Sequence, residues 1–334
     1  MSDTSSRKKD HIALAFESQT AALANDKRFF YEPLASGHTV MLPEISFLGK
    51  RLSLPLWISS MTGGTELAGT INRNLAQACA EFGLGMGLGS CRRLLTDNTY
   101  FEDFNMRPII GNDQPFYANL GIAQVETLIA EGATDKINEL ITRLRADGLI
   151  VHVNPMQEWL QPEGDRFERP PLETIEQLLE LLSFPVIVKE VGQGMGPESV
   201  KALLKLPIAA LDFGAYGGTN FSKLELLRSD AERSTLYENL SYIGHTAEEM
   251  TGFVNDAIAE LGNKRRCNEV IISGGIRNFL DGYYYMQSLP LNSIYAQGSA
   301  FLKYAQVSYP ALKTYIESQR DGLALCAAYL KIRK

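Results

Sequence analysis

The 334 residues are 45% hydrophobic and 21% charged, an ordinary globular composition with enough chain for a large core. A formal net charge of −7 argues against a nucleic-acid binder, which needs a basic footprint. No apolar run approaches the ~20 residues of a membrane span. The basic start MSDTSSRKKDH has no apolar core behind it, so it does not read as a secretory signal. Cys79, Cys91, Cys267 and Cys326 form no CxxC pair and no zinc spacing. They read as reduced thiols of a cytosolic enzyme.

Residues 1–50 read as an N-terminal extension. Beyond them, short apolar runs recur, each separated from the next by a helix-like segment. The predicted strands are Leu54–Ser60, Leu84–Gly89, Phe116–Asn119, Gly148–Val153, Pro185–Glu190, Ala209–Phe213, Glu269–Ser273 and Ser293–Ala296. Several are apolar at nearly every position, as strands buried on both faces are. Glu66–Phe82 follows Thr65, a candidate N-cap, and puts Leu67, Ile71, Leu75 and Ala78 on one helical face. Leu172–Leu182 and Thr246–Leu261 show the same spacing. Residues 214–245 form a long, mostly polar connection, a length that usually belongs to a lid or binding loop. Eight strand–helix alternations predict a single-domain (β/α)8 TIM barrel with the N-terminal extension attached. A doubly wound open sheet is the alternative.

In such a barrel the active site lies at the C-terminal strand ends. Read in order, those positions carry polar and glycine-rich segments. Ser-Ser-Met-Thr-Gly-Gly-Thr (59–65) is small enough for a flat ring to lie on its backbone, and it also suits a plain turn with an N-cap. Gly-Leu-Gly-Ser-Cys-Arg-Arg (87–93) offers Ser90 and Arg92 to an anion. Asn119 carries both donor and acceptor. The fourth strand runs into His152, Asn154, Gln157 and Glu158. The first two alternate onto one face, and Glu158 suits Mg²⁺, a hard cation that favours oxygen ligands. Lys189 falls where an inward side chain needs an anionic partner, either a bound group or Glu190. Gly-rich turns after the last two strands, 273–278 and 296–300, are the usual phosphate cradle of the fold.

The set RKKDH (7–11), SMTGG (60–64), GSCR (89–92), NLG (119–121), HVNPMQE with PEG (152–164), VKEVGQG (188–194), GGTNF (217–221) and SGGIRN (273–278) resembles the type 2 isopentenyl-diphosphate isomerase family. The resemblance extends over nearly the whole chain. It implies an FMN-dependent barrel that interconverts isopentenyl and dimethylallyl diphosphate in isoprenoid biosynthesis. It further implies reduced FMN as the active form, Mg²⁺, NADPH as reductant, a cytoplasmic homotetramer or homo-octamer, and no membrane or nucleic-acid partner. Carried over by motif, Arg7, Lys8, Ser90, Cys91, Arg92, His152, Asn154 and Gln157 bind substrate. Gln157, His152 and Asn154 act in catalysis alongside the flavin. Ser60, Met61, Thr62, Ser90, Asn119, Lys189, Thr219, Gly274, Gly275, Arg277, Gly298 and Ser299 hold FMN, and Glu158 holds the metal. The family commonly reads GSQR where this chain has Cys91, and Ala215-Tyr216 is bulkier than the small residues expected there. An FMN-dependent 2-hydroxy-acid oxidase or dehydrogenase on the same barrel is the rival reading. His152 is its only obvious base, and it leaves Gln157 and Glu158 without a role.

Overall fold

The computed structural model describes residues 4–38 and 41–333; residues 1–3 of the basic start lie outside them. Eight parallel strands close into a barrel: β1 Leu56–Ser59, β2 Gly85–Gly87, β3 Phe116–Gly121, β4 Gly148–Val153, β5 Val186–Glu190, β6 Ala210–Asp212, β7 Glu269–Ile272 and β8 Asn292–Gln297. Each pairs with its neighbours in chain order, and β8 closes on β1 through Tyr295–Leu56, Ala296–Trp57 and Gln297–Ile58. Closure excludes the open-sheet alternative. All eight predicted strands are present, with ends shifted by at most two residues.

The local chemistry accounts for the best-placed helix. Thr65 accepts a hydrogen bond from the Ala68 amide at the start of Glu66–Phe82, and Gly83 ends it in the left-handed conformation at φ 63°. Thr246 and Glu249 form a capping box that opens Ala247–Leu261. The third predicted helix is observed at Pro171–Leu181.

Two segments carry more secondary structure than their sequence shows. Residues 214–245 are not an irregular connection: they contain helices Phe221–Arg228 and Ala231–Tyr237 and a 3-10 segment at Glu238–Tyr242. The first of these packs on the short Pro155–Leu160 helix that follows β4, so the segment roofs one side of the barrel mouth. The N-terminal extension is likewise structured in part. Strands Ile45–Phe47 and Lys50–Leu52 form a hairpin. Its turn places Leu48 at φ 52° and Gly49 at φ 74°, as a tight two-residue hairpin turn requires. Leu48 is held there by donating its amide to the Glu269 carboxylate at 2.8 Å. Phe47 and Leu52 close the N-terminal end of the barrel against Trp57, Tyr117, Ile150, Ile187 and Ile294. This part of the extension therefore lies at the opposite end from the strand termini that carry the motifs.

Candidate active site

The barrel strands are mostly apolar, and the polar side chains that face the bore gather at their C-terminal ends. There a cavity of about 720 Å³ opens. Pairing register explains who faces it. His152 of β4 lies opposite Lys189 of β5, and Lys189 opposite Asp212 of β6, so these three inward positions form one row across neighbouring strands. His152, Asn154, Gln157, Glu158 and Lys189 all line the cavity, as the sequence spacing predicts.

Hydrogen bonding fixes the orientation of these groups. Asn119 donates its amide to the Leu88 carbonyl at 2.8 Å, which leaves its Oδ1 as an acceptor. His152 Nδ1 lies 2.7 Å from that oxygen, so Nδ1 carries the proton and Nε2 keeps its lone pair. Burial pushes the His152 pKa down to about 4, and the Lys189 charge adds to this, so the imidazole is neutral near pH 7. Asn154 Nδ2 donates to Gln157 Oε1 and to Glu158 Oε1, each at 3.0 Å. Gln157 then donates its own amide to Glu225 Oε1 at 3.2 Å. The Gln157 amide is thereby held at both ends. Asn154 Oδ1 is buried without a hydrogen-bond partner, the condition of a group that awaits a ligand or water.

Lys189 donates to the Glu190 backbone carbonyl at 2.6 Å and not to its carboxylate. That carboxylate instead accepts three backbone amides, from Gly192, Gln193 and Gly194, at 2.6–2.8 Å. It shapes the turn after β5.

The glycine turns meet on the far side of the cavity. A Cβ on Gly218 would come within 3.0 Å of the Gly275 amide, and one on Gly274 within 2.0 Å of the Ala215 carbonyl. Glycine is needed there because two backbones touch. Gly274, Gly275, Gly298 and Ser299 line this wall together with Thr219 and Arg277. The chain bearing bulky Tyr216 is accommodated by a bridge to Thr246, with the Tyr216 amide donating to the His245 carbonyl at 2.8 Å. Ser60, Met61, Ser90 and Arg92 complete the cavity on the β1–β2 side.

Four sequence-predicted residues are not brought to the cavity. Cys91 is fully buried in the apolar core, its thiol pushed up to about 12 by burial. It is a packing residue with no path to substrate, which corrects its assignment as a ligand. Thr62 lies behind Gly89, whose Cβ would meet the Thr62 amide at 2.8 Å, and its carbonyl accepts from Asn72 at 3.2 Å. It is not among the cavity-lining residues. Arg7 and Lys8 occupy the Thr4–Leu14 helix, exposed and away from the cavity wall.

The structure also adds residues that the motifs did not single out. Phe221 and Gln124 line the cavity, Lys303 does so one turn beyond Ser299, and buried Glu225 stands behind Gln157. Phe221 ends the quoted GGTNF segment, so its signal was present. Glu225 had none, being 68 residues from its partner.

A closed parallel barrel with a polar, ligand-sized cavity at its strand C-termini and a glycine-lined wall defines a TIM-barrel enzyme. Solved structures agree on the fold. A mandelate oxidase mutant with a monooxide FMN adduct superposes with a TM-score of 0.56 at 15% identity, covering 92% of this chain and 88% of that one. An arginine-to-lysine mutant of flavocytochrome b2 gives 0.62 at 16% identity, covering 95% and 78%. No family model matches the chain. Curated relatives are more specific. The isopentenyl-diphosphate delta-isomerase of Rickettsia felis is 33% identical over 327 residues, covering 93% of this chain and 88% of the relative. That of Rickettsia typhi is 35% identical over 298 residues, covering 83% and 79%. The chain belongs to the isopentenyl-diphosphate delta-isomerase family, and its barrel is that of the type 2 form.

Proposed function

We propose that this cavity binds reduced FMN and Mg²⁺ and interconverts isopentenyl and dimethylallyl diphosphate. The observation that carries the reading is the division of one cavity into two kinds of wall. One wall is glycine backbone with two cations, Arg277 and Lys303. The other is a fixed polar array, Asn119–His152 and Asn154–Gln157–Glu158.

The first wall fits a flavin phosphate, since backbone amides exposed by glycine and nearby cations suit a dianion. Gly274, Gly275, Gly298, Ser299, Thr219 and Arg277 hold that end. Ser60, Met61, Ser90, Asn119 and Lys189 hold the ring, where the Lys189 ammonium favours an anionic reduced form. Reduced flavin supplies an acid–base group and an electron-rich face, which suits a reaction that moves a double bond with no net redox change. This chain's residues do the rest. Neutral His152 offers Nε2 as an acceptor, Gln157 orients substrate, and Phe221 excludes water from the reacting carbons.

The second wall fits a metal diphosphate. Mg²⁺ keeps most of its waters and takes one or two carboxylates plus substrate phosphate oxygens. Glu158 supplies one carboxylate, and the unpartnered Asn154 Oδ1 supplies an oxygen beside it. Among the described residues no cluster of three His, Cys, Asp or Glu could hold a metal alone, which suits a site completed by the diphosphate. Arg92 and Ser90 meet that diphosphate. Arg7 and Lys8, without ion-pair partners among the described residues, join it when the Thr4–Leu14 helix swings onto the barrel mouth. NADPH as reductant, a homotetramer or homo-octamer and a cytoplasmic location belong to the same reading. No helix among the described residues is long and apolar enough to cross a membrane.

The test is to purify the protein, record a flavin spectrum, then add dithionite, Mg²⁺ and isopentenyl diphosphate under anaerobic conditions. Dimethylallyl diphosphate should form only with reduced flavin. Sustained dye reduction with 2-hydroxy acids in its place would favour the oxidase reading.

A further inference from the structure

A single peptide unit on the glycine wall is held from both sides. It joins Ile276 to Arg277 in the turn after β7, and Arg277 is one of the two cations of that wall. The Ile276 carbonyl accepts from Gln297 Nε2 at 3.1 Å. The Arg277 amide donates to Asp281 Oδ2 at 3.0 Å. The next residue is fixed as well. Asn278 Oδ1 accepts the Leu280 and Asp281 amides at 2.9 and 3.1 Å and caps the Phe279–Ser288 helix. With its peptide plane and its C-terminal neighbour both fixed, Arg277 has little freedom in the direction its side chain takes.

Each clamp is braced from outside the cavity. Tyr315, on the Tyr309–Tyr329 helix, donates its hydroxyl to Gln297 Oε1 at 2.7 Å. This orients the Gln297 amide with its Nε2 toward the turn. The Tyr315 ring stacks on Tyr304 with centroids 4.4 Å apart and meets Phe301 edge-on. Arg28, in the N-terminal extension, donates Nη1 to Asp281 Oδ1 at 2.9 Å, which leaves Oδ2 for the Arg277 amide. Arg28 is itself pinned. Its Nε and Nη2 pair with Asp26 at 2.9 and 2.7 Å, and its guanidinium lies over the Phe29 and Tyr284 rings. The Asp281 side chain is only 15% exposed, so its contact with Arg28 is more than a surface ion pair. Neither Arg28 nor Tyr315 lines the cavity.

We propose that Arg28 and Tyr315 are positioning residues for the flavin phosphate: through Asp281 and Gln297 they hold the Ile276–Arg277 peptide, and with it the aim of Arg277. The inference rests on the reading of this wall as the phosphate end of FMN. It adds that the N-terminal extension contributes to cofactor affinity through a residue outside the cavity. Loss of either brace frees its clamp to turn. A freed Asp281 carboxylate can leave the Arg277 amide. A freed Gln297 amide can turn its oxygen to the Ile276 carbonyl, and two acceptors then face each other. Both changes loosen the phosphate end and leave the ring contacts of Ser60, Met61, Asn119 and Lys189 alone.

Titration of the full chain, stripped of flavin, with FMN and with riboflavin separates the phosphate end from the ring, with flavin fluorescence as the signal. Arg28→Gln should bind FMN about three- to tenfold more weakly than wild type, and riboflavin within about twofold of it. Tyr315→Phe, which deletes one oxygen and keeps both ring contacts, should weaken FMN about two- to fivefold with the same indifference to riboflavin. Arg28→Gln should add nothing in an Asp281→Ala background, because Arg28 acts only through that carboxylate. FMN affinity unchanged in both single variants, equal losses for FMN and riboflavin, or an Arg28→Gln effect that persists without Asp281 overturns the clamp. The underlying reading fails in a different way: wild type then binds riboflavin as tightly as FMN, or Arg277→Ala leaves FMN affinity unaltered.

Discussion

The two ends of this barrel treat polar groups in opposite ways. At the N-terminal end, buried Arg107 uses four of its five donors. It bonds the Arg145 carbonyl at 2.7 Å, the Gly111 and Gln114 carbonyls at 2.9 and 3.1 Å, and Asp147 at 2.8 Å. Asp147 in turn receives Lys50 at 2.6 Å and the Phe116 amide at 2.8 Å. Beside this knot, the Phe47–Leu52 hairpin seals the bore with apolar side chains. At the C-terminal end the bore is open, and polar atoms are left over. Asn154 Oδ1, Asp212 Oδ2 and Ser59 Oγ are buried without partners. Buried unsatisfied groups destabilise a fold, and although Trp57 Nε1 at the sealed end also lacks a partner, the carboxylate and amide oxygens left over at the open end are the ones a polar ligand could satisfy. The sealed end supplies stability from which the open end can lose some.

The sharpest break of this comparison is Arg107→Ala. It strips four acceptors at once and leaves Asp147 with only Lys50 and the Phe116 amide, so the fold should lose about 3 kcal/mol. A shift of the urea midpoint measures it. Ligand affinity of the protein that remains folded should stay within about twofold. A large affinity loss at constant stability would show that the two ends are not separable. Glu158→Gln is the opposite case. It keeps volume, and stability should change by less than about 1 kcal/mol, while Mg²⁺-dependent pyrophosphate binding weakens about tenfold or more. Unchanged Mg²⁺ dependence in that variant removes the metal from Glu158.

The two ends also differ in how legibly the sequence describes them. The strands were readable because Val186–Val188 or Leu149–Val151 are apolar on both faces, a pattern few other elements show. The Glu66–Phe82 helix was readable to the residue because Thr65 and Gly83 punctuate it. Polar residues at strand ends could be nominated from alternation alone, and the cavity gathers His152, Asn154, Gln157, Glu158 and Lys189 as expected. The 221–237 helices were not readable. Their buried positions include Ser222 and Glu225, so no apolar stripe announces them. Glu225 takes its meaning from a partner 68 residues away. Cys91 misled because it sits inside a motif whose neighbours Ser90 and Arg92 do face the cavity. Strand-end backbone turns one of the three into the core. The Arg107 knot was missed outright, since three of its four acceptors are backbone carbonyls that no motif records.

The smallest expected effect concerns acid. His152 is held neutral at the open end, with its pKa lowered to about 4 by burial and by the Lys189 charge. In the unfolded chain it titrates near ~6.5. Above that value both states are neutral, and His152 contributes nothing to pH dependence. Between about 6.5 and 4 the unfolded chain takes up a proton that the folded chain refuses, so stability falls as pH falls. The limiting slope from one such group is about 1.4 kcal/mol per pH unit. His152→Gln keeps a donor for Asn119 without a titrating ring, so its stability should fall less steeply over the same window. Urea titrations of both proteins from pH 7 to pH 4.5 measure the difference. Parallel curves would mean that the open end hydrates the imidazole after all, and that its neutrality depends on a bound ligand and not on the fold.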